Sequence, residues 1–180
     1  AVDQGAQLVV TPELALVGYP PRDLLHRDET LAAERAAVDD LRAATDSEPS
    51  FTLVVGHTAP NTDSEGPPLV NAASVFRDGE RVARYEKRLL PTYDVFDEHR
   101  YFDPGDEPVT VTVDGATVGL TICEDGWYDH EVTGQRRHGA NPIGDYEGVD
   151  LLVNISASPF YVGKPGQREV RFAGHAIDVD

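Results

Sequence analysis

The sequence contains no methionine, one cysteine and only two lysines, and positive charge is scarce along its whole length. With 32 acidic residues against 15 lysines and arginines, the formal net charge is −17. This balance argues against nucleic acid and anionic membranes as partners, because both require a positive footprint. No apolar run approaches the ~18 residues of a membrane-spanning helix. The lone Cys123 excludes an intramolecular disulfide, and with no visible signal peptide it favours a cytoplasmic location.

Position 1 is alanine rather than methionine, and the chain opens with AVDQGAQLVV. This opening is typical of the end of a helix that runs into a strand, whereas a native start normally precedes its first strand. A length of 180 residues, of which 40% are hydrophobic, is enough for one core. We therefore expect one domain over residues 1–180, cut from a longer protein and partial at both ends.

The scarcity of lysine is selective, because 13 of the basic residues are arginines and only Lys87 and Lys164 are lysines. Arginine is a planar fork that stays protonated, whereas lysine is a compact point charge. Two explanations are open at this point. The lysines are leftover surface residues, or they are retained where arginine cannot replace them.

The hydrophobic pattern alternates helices with strands and predicts an α/β fold with a mixed sheet and helices on its outer faces. Asp-Gly pairs at 78–79 and 114–115 indicate two hairpins. The remaining segments are predicted as strands at 7–10, 51–56 and 151–155, helices at 29–44 and 168–177, loops at 14–28 and 61–68, a long aromatic-rich segment at 88–105 and a mixed segment at 126–147.

Three residues of reactive types follow predicted strands: Glu13, Lys87 and Cys123. Since α/β folds tend to gather their sites at strand ends, we expect these three to meet at the ends of a shared sheet. Taken alone, Cys123 is a buried thiol, a surface thiol or a nucleophile. Its neighbours Glu124 and Asp125 have the wrong sign to stabilise a thiolate, so a nucleophile would need positive charge from elsewhere.

Several other site types are disfavoured by the motifs. The six histidines show no H-E-x-x-H or similarly tight spacing, so we interpret them as loop and surface residues and predict no metal. The VGKPG segment lacks the first glycine and the Ser/Thr of a phosphate-binding loop. No G-x-S-x-G elbow occurs. Trp127 is expected to be a packing residue.

Four segments carry a specific resemblance: TPELALVGYPPRDLL, YEKRLLPTYDVFDEHRYFDPG, ICEDGW and NISASPFYVGK. They resemble the nitrilase, or carbon–nitrogen hydrolase, superfamily, and within it the glutaminase domains of glutamine-dependent NAD synthetases. The resemblance extends from about Gly5 to Lys164. It implies a nitrilase-like α-β-β-α sandwich, which is incomplete in this chain because the first and last strands of the family fold are missing.

The resemblance also implies roles. Cys123 would be the nucleophile, Glu13 the general base, and Lys87 an oxyanion donor together with the backbone N–H of Glu124. The side chains of Glu124 and Asp125 would then point away from the site. The residues implied to bind the amino-acid end of glutamine are Tyr93, Ser158 and Lys164. Further candidates are Glu98, as a second carboxylate, and Phe96, which like Tyr93 is otherwise a packing aromatic.

The implied function is hydrolysis of the side-chain amide of L-glutamine without a cofactor. The ammonia would serve an ATP-dependent NAD synthetase domain fused downstream, which would itself use ATP and nicotinic acid adenine dinucleotide, within a homo-oligomer. A stand-alone amidase with another substrate and a non-catalytic interaction module are the alternatives. Residues 129–148 form a segment longer than is usual for the family and are a candidate for altering substrate access or a partner contact.

Overall fold

A computed structural model describes residues 1–47, 50–62, 65–129, 131–132, 135–136 and 138–179. The helices are α1 (Asp28–Ala44) and α2 (Lys164–Asp178). The strands are β1 (Leu8–Val10), β2 (Thr52–Pro60), β3 (Leu69–Arg77), β4 (Glu80–Glu86), β5 (Thr110–Val113), β6 (Ala116–Ile122), β7 (Glu131–Val132), β8 (Gln135–Arg136) and β9 (Leu151–Ile155). Short 3₁₀ helices lie at Val2–Gln4, Arg22–His26, Glu98–Arg100, Cys123–Trp127 and Pro142–Tyr146.

The described strands form two main sheets. The first has the order β1-β2-β3-β4, in which β1 is parallel to β2 and the other neighbours are antiparallel. The second has the order β5-β6-β9, with β6 parallel to β9 and antiparallel to β5. The short strands β7 and β8 pair with each other. Both predicted hairpins are confirmed, as β3–β4 and β5–β6.

The largest hydrophobic cluster lies between the two sheets. It contains Val54, Ala73, Val75 and Tyr85 from the first sheet and Val118, Leu120, Ile122 and Ile155 from the second. On the other face of the first sheet, Val38 and Leu41 of α1 pack against Leu53, Val55 and Phe76. The result is a layered helix–sheet–sheet arrangement, in which apolar side chains on both faces of β2 and β3 explain their almost complete burial.

The structure differs from the sequence-based expectations in two places. The reactive residues do not share a sheet, since β1 and β4 belong to the first sheet and β6 to the second. Helix α2 begins at Lys164 rather than 168, because Gly163 adopts the left-handed conformation (φ 90°) before it and Pro165 is tolerated in a first helical turn. The prediction of α1 is confirmed to within one residue.

The interpretation of the histidines as loop and surface residues is wrong for His57 on β2 and His175 on α2, both of which are buried. The Nδ1–H of His57 donates to the Thr58 carbonyl, and Nε2 accepts from the Ser74 hydroxyl (2.8 Å). Burial lowers the pKa of His57 to about 4. No group of three His, Cys, Asp or Glu side chains that could hold a metal ion occurs in the described part of the chain. Among the same residues, no helix is both long and apolar enough to cross a bilayer.

The buried His57 generates a prediction about pH and stability. Its folded pKa lies below the ordinary value of about 6.5, so the unfolded chain takes up the proton first on acidification. The stability contributed by neutral His57 is therefore complete above about pH 6.5 and is lost as the pH falls toward 4. Urea unfolding should show that the free energy of unfolding falls between pH 7 and pH 5 by about 2 kcal/mol more in the wild type than in His57→Gln. An equal fall in unfolding free energy in the two proteins would contradict the low pKa of His57.

Candidate active site

Glu13 lies just beyond β1, where the chain crosses closely over β2. The Ala15 N–H donates to the Gly56 carbonyl (2.8 Å), and the Gly56 N–H donates to Thr11 Oγ1 (3.0 Å). A Cβ atom at position 56 would lie 2.2 Å from the Pro12 carbonyl oxygen, so this crossing requires glycine. The close approach holds the Glu13 side chain in the interior, where it is only 2% exposed.

Lys87 follows β4 directly and is completely buried. Its backbone N–H donates to the Asn71 carbonyl (2.8 Å), which extends the β3–β4 pairing by one bond. The ammonium donates to Glu13 Oε1 (2.7 Å) and to Glu98 Oε1 (2.8 Å). Burial by itself would lower the pKa of Lys87, but Glu13 and Glu98 outweigh that effect and hold the pKa well above its usual value. Lys87 is therefore a permanent buried cation.

Glu13 receives two further hydrogen bonds. Asn71 Nδ2 donates to Oε1 (2.9 Å), and the backbone N–H of Ala157 donates to Oε2 (3.0 Å). The two carboxylate oxygens thus have different surroundings. Oε1 accepts from two side chains, whereas Oε2 accepts from one backbone N–H.

Glu98 projects from the 3₁₀ helix at Glu98–Arg100 and forms the other side of the Lys87 site. Its Oε1 accepts from the Tyr19 hydroxyl (2.7 Å) as well as from Lys87, while Oε2 has no partner among the described residues. Burial and the nearby Glu13 charge raise the pKa of Glu98. The structure places Glu98 beside Lys87, where it differs from Glu13 in its hydrogen bonding.

Cys123 begins the 3₁₀ helix that follows β6. Its φ angle of 45° lies in the left-handed region, which is strained for a residue with a side chain. The turn is held by Asp125, which is completely buried. The carboxylate of Asp125 accepts from the Tyr85 hydroxyl and from the backbone N–H groups of Ile122 and Leu89 at 2.8 to 2.9 Å, with Arg88 N at 3.2 Å. Asp125 thereby ties the cysteine turn to the segment that follows Lys87.

The thiol of Cys123 lies 3.6 Å from the Ser158 hydroxyl oxygen. Burial raises the pKa of Cys123 to about 12, the Glu13 charge adds to this effect, and Lys87 opposes it. The resting thiol is therefore protonated at neutral pH, and a reaction at sulfur requires a base that removes this proton. Glu13 is an ionisable carboxylate whose charge acts on the thiol, and Lys87 is a fixed cation beside it.

A cavity of about 860 Å³ opens above Cys123. Every residue that the sequence analysis placed on the substrate side contributes to its wall: Tyr93, Phe96, Glu124, Ser158 and Lys164. The rings of Tyr93 and Phe96 meet edge to face, with centroids 5.2 Å apart. The two are packing aromatics and cavity residues at once.

Glu124 departs from expectation, because its side chain does not point away. It lies in the cavity wall, where Oε2 accepts from the Tyr93 hydroxyl (2.8 Å) and Oε1 contacts His138 Nε2 (2.9 Å). Asp125 does turn into the interior, as expected. His138 belongs to the long segment 129–148, parts of which (residues 130, 133–134 and 137) lie outside the described residues.

Lys164, the first residue of α2, lies in the same cavity wall. Its ammonium is 4.0 Å from the centroid of the Trp127 ring, and the Arg171 guanidinium approaches the same ring at 4.6 Å. Trp127 is therefore a platform for cations as well as a packing residue. Burial lowers the pKa of Lys164. The cavity presents a carboxylate on one part of its wall and an ammonium on another.

The chain is similar to known proteins in both sequence and fold. The sequence model of the carbon-nitrogen hydrolase family matches residues 1–144. The glutamine-dependent NAD(+) synthetases of Thermotoga maritima and of a Synechocystis strain are each 40% identical to the chain, over 99% and 92% of its length. The chain spans only 29% and 30% of these two relatives.

Solved structures agree with the sequence comparison. The glutamine-dependent NAD+ synthetase of Acinetobacter baumannii superposes on 96% of the chain with a TM-score of 0.81 and 30% identity, and the chain covers 30% of that structure. An amidase of the nitrilase superfamily from Nesterenkonia matches 97% of the chain with a TM-score of 0.71 and 24% identity, and 60% of the amidase is covered. The amidase match concerns the fold alone. The predicted nitrilase-like α/β fold is thus confirmed, and the chain belongs to the carbon-nitrogen hydrolase family.

Proposed function

We propose that this chain hydrolyses the side-chain amide of glutamine, with Cys123 as nucleophile, Glu13 as general base and Lys87 as oxyanion donor. The observation that carries the proposal is the buried contact of Glu13 with Lys87 beside the chain's single thiol, at a cavity of about 860 Å³. The similarity to relatives named as glutamine-dependent NAD(+) synthetases supports glutamine as the substrate.

The chemistry requires no redox partner and no cofactor in this domain. Glu13 takes the thiol proton while Sγ attacks the amide carbon, and the resulting oxyanion is stabilised by the Lys87 ammonium and the backbone N–H of Glu124. Glu13 then returns the proton to the leaving nitrogen, the C–N bond breaks, and ammonia departs from a thioester. Water, deprotonated by Glu13, attacks the thioester, and glutamate is released as the thiol is restored.

The charges of the cavity wall support an amino-acid amide as substrate. The Glu124 carboxylate matches an α-ammonium group, while the Lys164 ammonium and the Ser158 hydroxyl match an α-carboxylate. Glu98 is proposed to position Lys87 through their 2.8 Å contact, and Phe96 to support Tyr93.

We further propose that the ammonia serves NAD synthesis in a longer protein. The relatives are roughly three times the length covered by this chain, and their names couple glutamine to NAD(+) synthesis. ATP and nicotinic acid adenine dinucleotide would bind to the synthetase domain, in an enzyme that we expect to be a homo-oligomer. In this proposal residues 1–180 are the glutaminase part.

The first test concerns the nucleophile. Cys123→Ser should abolish glutamine-dependent activity and leave ammonia-dependent NAD synthesis of the full-length enzyme intact, because the second step does not use the thiol. Mass spectrometry after treatment with a glutamine-analogue electrophile should find one adduct, on Cys123. Labelling of another residue, or full glutaminase activity of the serine variant, would remove the assignment.

The second test separates an oxyanion donor from a replaceable charge. Lys87→Arg keeps the positive charge between Glu13 and Glu98 but puts a wider, forked group into a completely buried site. Misplacing one oxyanion donor costs about a hundredfold or more in kcat, and we expect a loss of that size in steady-state glutaminase assays. Circular dichroism must first establish that the variant is folded. Turnover near the wild-type rate would refute the role of Lys87.

The third test distinguishes glutamine from a simple amide as the substrate. Lys164→Ala should raise the KM for glutamine by about one to two decades, because a charge-assisted hydrogen bond contributes ~1.5–3 kcal/mol. Hydrolysis of propionamide, which lacks the α-carboxylate, should change far less. Arg168→Ala is the matched control, since Arg168 is a cation one turn further along α2 that does not line the main cavity. Equal effects of Lys164→Ala on both substrates would favour the stand-alone amidase.

A further inference from the structure

Asn71 is the third residue of the largely apolar strand β3, and it is completely buried. Strand alternation places it on the same face as Ala73 and Val75, which belong to the core between the two sheets. The polar side chain therefore lies where the inter-sheet core meets the candidate active site. Neither its residue type nor its strand predicted a place in the site.

Asn71 contacts both proposed partners of the thiol. Its side-chain Nδ2 donates to Glu13 Oε1 (2.9 Å), while its backbone carbonyl accepts from the Lys87 N–H (2.8 Å). The Lys87 ammonium then returns to the same Oε1 atom at 2.7 Å. These three bonds close a ring through Asn71, Lys87 and Glu13, which fixes the carboxylate relative to the cation.

The carbonyl end of the Asn71 side chain differs from its nitrogen end. Asn71 Oδ1 is buried without a hydrogen-bond partner among the described residues. A buried carbonyl without a partner costs free energy that leucine, an apolar side chain of similar size, would avoid. Placing Asn71 here to donate to Glu13 thus lowers the stability of the fold. Such a loss is characteristic of residues that serve a site.

The acceptor positions on the Glu13 carboxylate indicate what the hydrogen bond from Asn71 does. Each carboxylate oxygen offers two acceptor positions. Both positions on Oε1 are used, by Asn71 and Lys87, whereas Oε2 accepts one bond from the Ala157 N–H and keeps one position open. Without Asn71, a position on Oε1 would also be open, and only the bonds from Lys87 and Ala157 would orient the carboxylate.

We propose that Asn71 is a positioning residue that saturates Glu13 Oε1 and thereby reserves Oε2 as the atom that accepts the thiol proton. The inference rests on the proposed role of Glu13 as general base. In the step concerned, the S–H bond of Cys123 breaks, the proton bonds to Oε2, and the sulfur electron pair attacks the amide carbon. Asn71 itself neither gains nor loses a proton.

The principal test is the pH profile of glutamine hydrolysis by Asn71→Leu, which is close in size and donates no hydrogen bond. We expect kcat to fall at least about tenfold with KM within about twofold, because binding groups are untouched. The acid limb of kcat/KM should move to higher pH, since the carboxylate loses a donor that favours its ionised form. An unchanged profile in a folded Asn71→Leu protein would overturn the proposal.

Asn71→Asp keeps the test valid if the leucine variant does not fold. The introduced carboxyl group donates to Oε1 only while it is protonated, and it repels Glu13 once it is ionised. Its activity relative to the wild type should therefore fall steeply as the pH rises. A ratio that is constant with pH would contradict the positioning role.

Ser74→Ala is the matched control. Ser74 is also completely buried in β3 and bonds to His57, but it lies on the opposite face of the strand and does not contact Glu13. It should lower the melting temperature without moving the pH profile. A profile shift of equal size in Ser74→Ala would assign the effect of Asn71 to the stability of the strand.

Alkylation of Cys123 tests the positioning role of Asn71 independently of glutamine hydrolysis. The rate of Cys123 alkylation by iodoacetamide is measured against pH in the wild type and in Asn71→Leu. If the wild type hydrolyses no glutamine but the alkylation profile shifts to higher pH in the variant, the positioning role is supported and the substrate is wrong. If turnover is normal and neither profile shifts, the positioning role fails and the glutaminase stands.

Discussion

The buried ammonium of Lys87, held between Glu13 and Glu98, is the interaction on which the site depends. A charge in the protein interior is tolerated only with partners of opposite sign and good geometry, and removing one partner of such a group costs roughly 3–5 kcal/mol. The three residues come from distant segments: the crossing over β2, the end of β4 and a 3₁₀ helix. The same contacts that position the proposed chemistry therefore also constrain how these segments pack.

The two-sheet architecture brings the thiol to this cluster. Glu13 and Lys87 follow strands of the first sheet, and Cys123 follows β6 in the second, so their meeting depends on the hydrophobic core between the sheets. Asp125 joins the two halves with polar contacts, because it accepts from Tyr85 on β4 and from backbone N–H groups on both sides. A shift of one sheet against the other would break these bonds at once. The site is accordingly a property of the interface between layers rather than of one loop.

The sequence predicted what depends on local pattern and residue type. Apolar runs and Asp-Gly turns identified the main strands and both hairpins, and the rarity of lysine and cysteine directed attention to Lys87, Lys164 and Cys123. It did not predict the residues that hydrogen-bond to the site from elsewhere in the chain: Asn71 lies 58 residues from Glu13, and Tyr85 lies 40 from Asp125. His57 and Asn71 were missed because a polar residue in an apolar run gives no local sign of its bonding partner. Asn71 was nonetheless visible as the one polar break in LVNAA.

The high pKa of Cys123 has a consequence for the survival of the protein. Peroxides oxidise the thiolate and hardly the thiol, and a pKa raised to about 12 leaves very little thiolate at pH 7. Burial, with a further contribution from the Glu13 charge, thus keeps the resting thiol in the form that resists sulfenic acid formation. In the proposed mechanism, the sulfur becomes reactive only when Glu13 removes its proton. The buried site around the single cysteine therefore protects its thiol from oxidation.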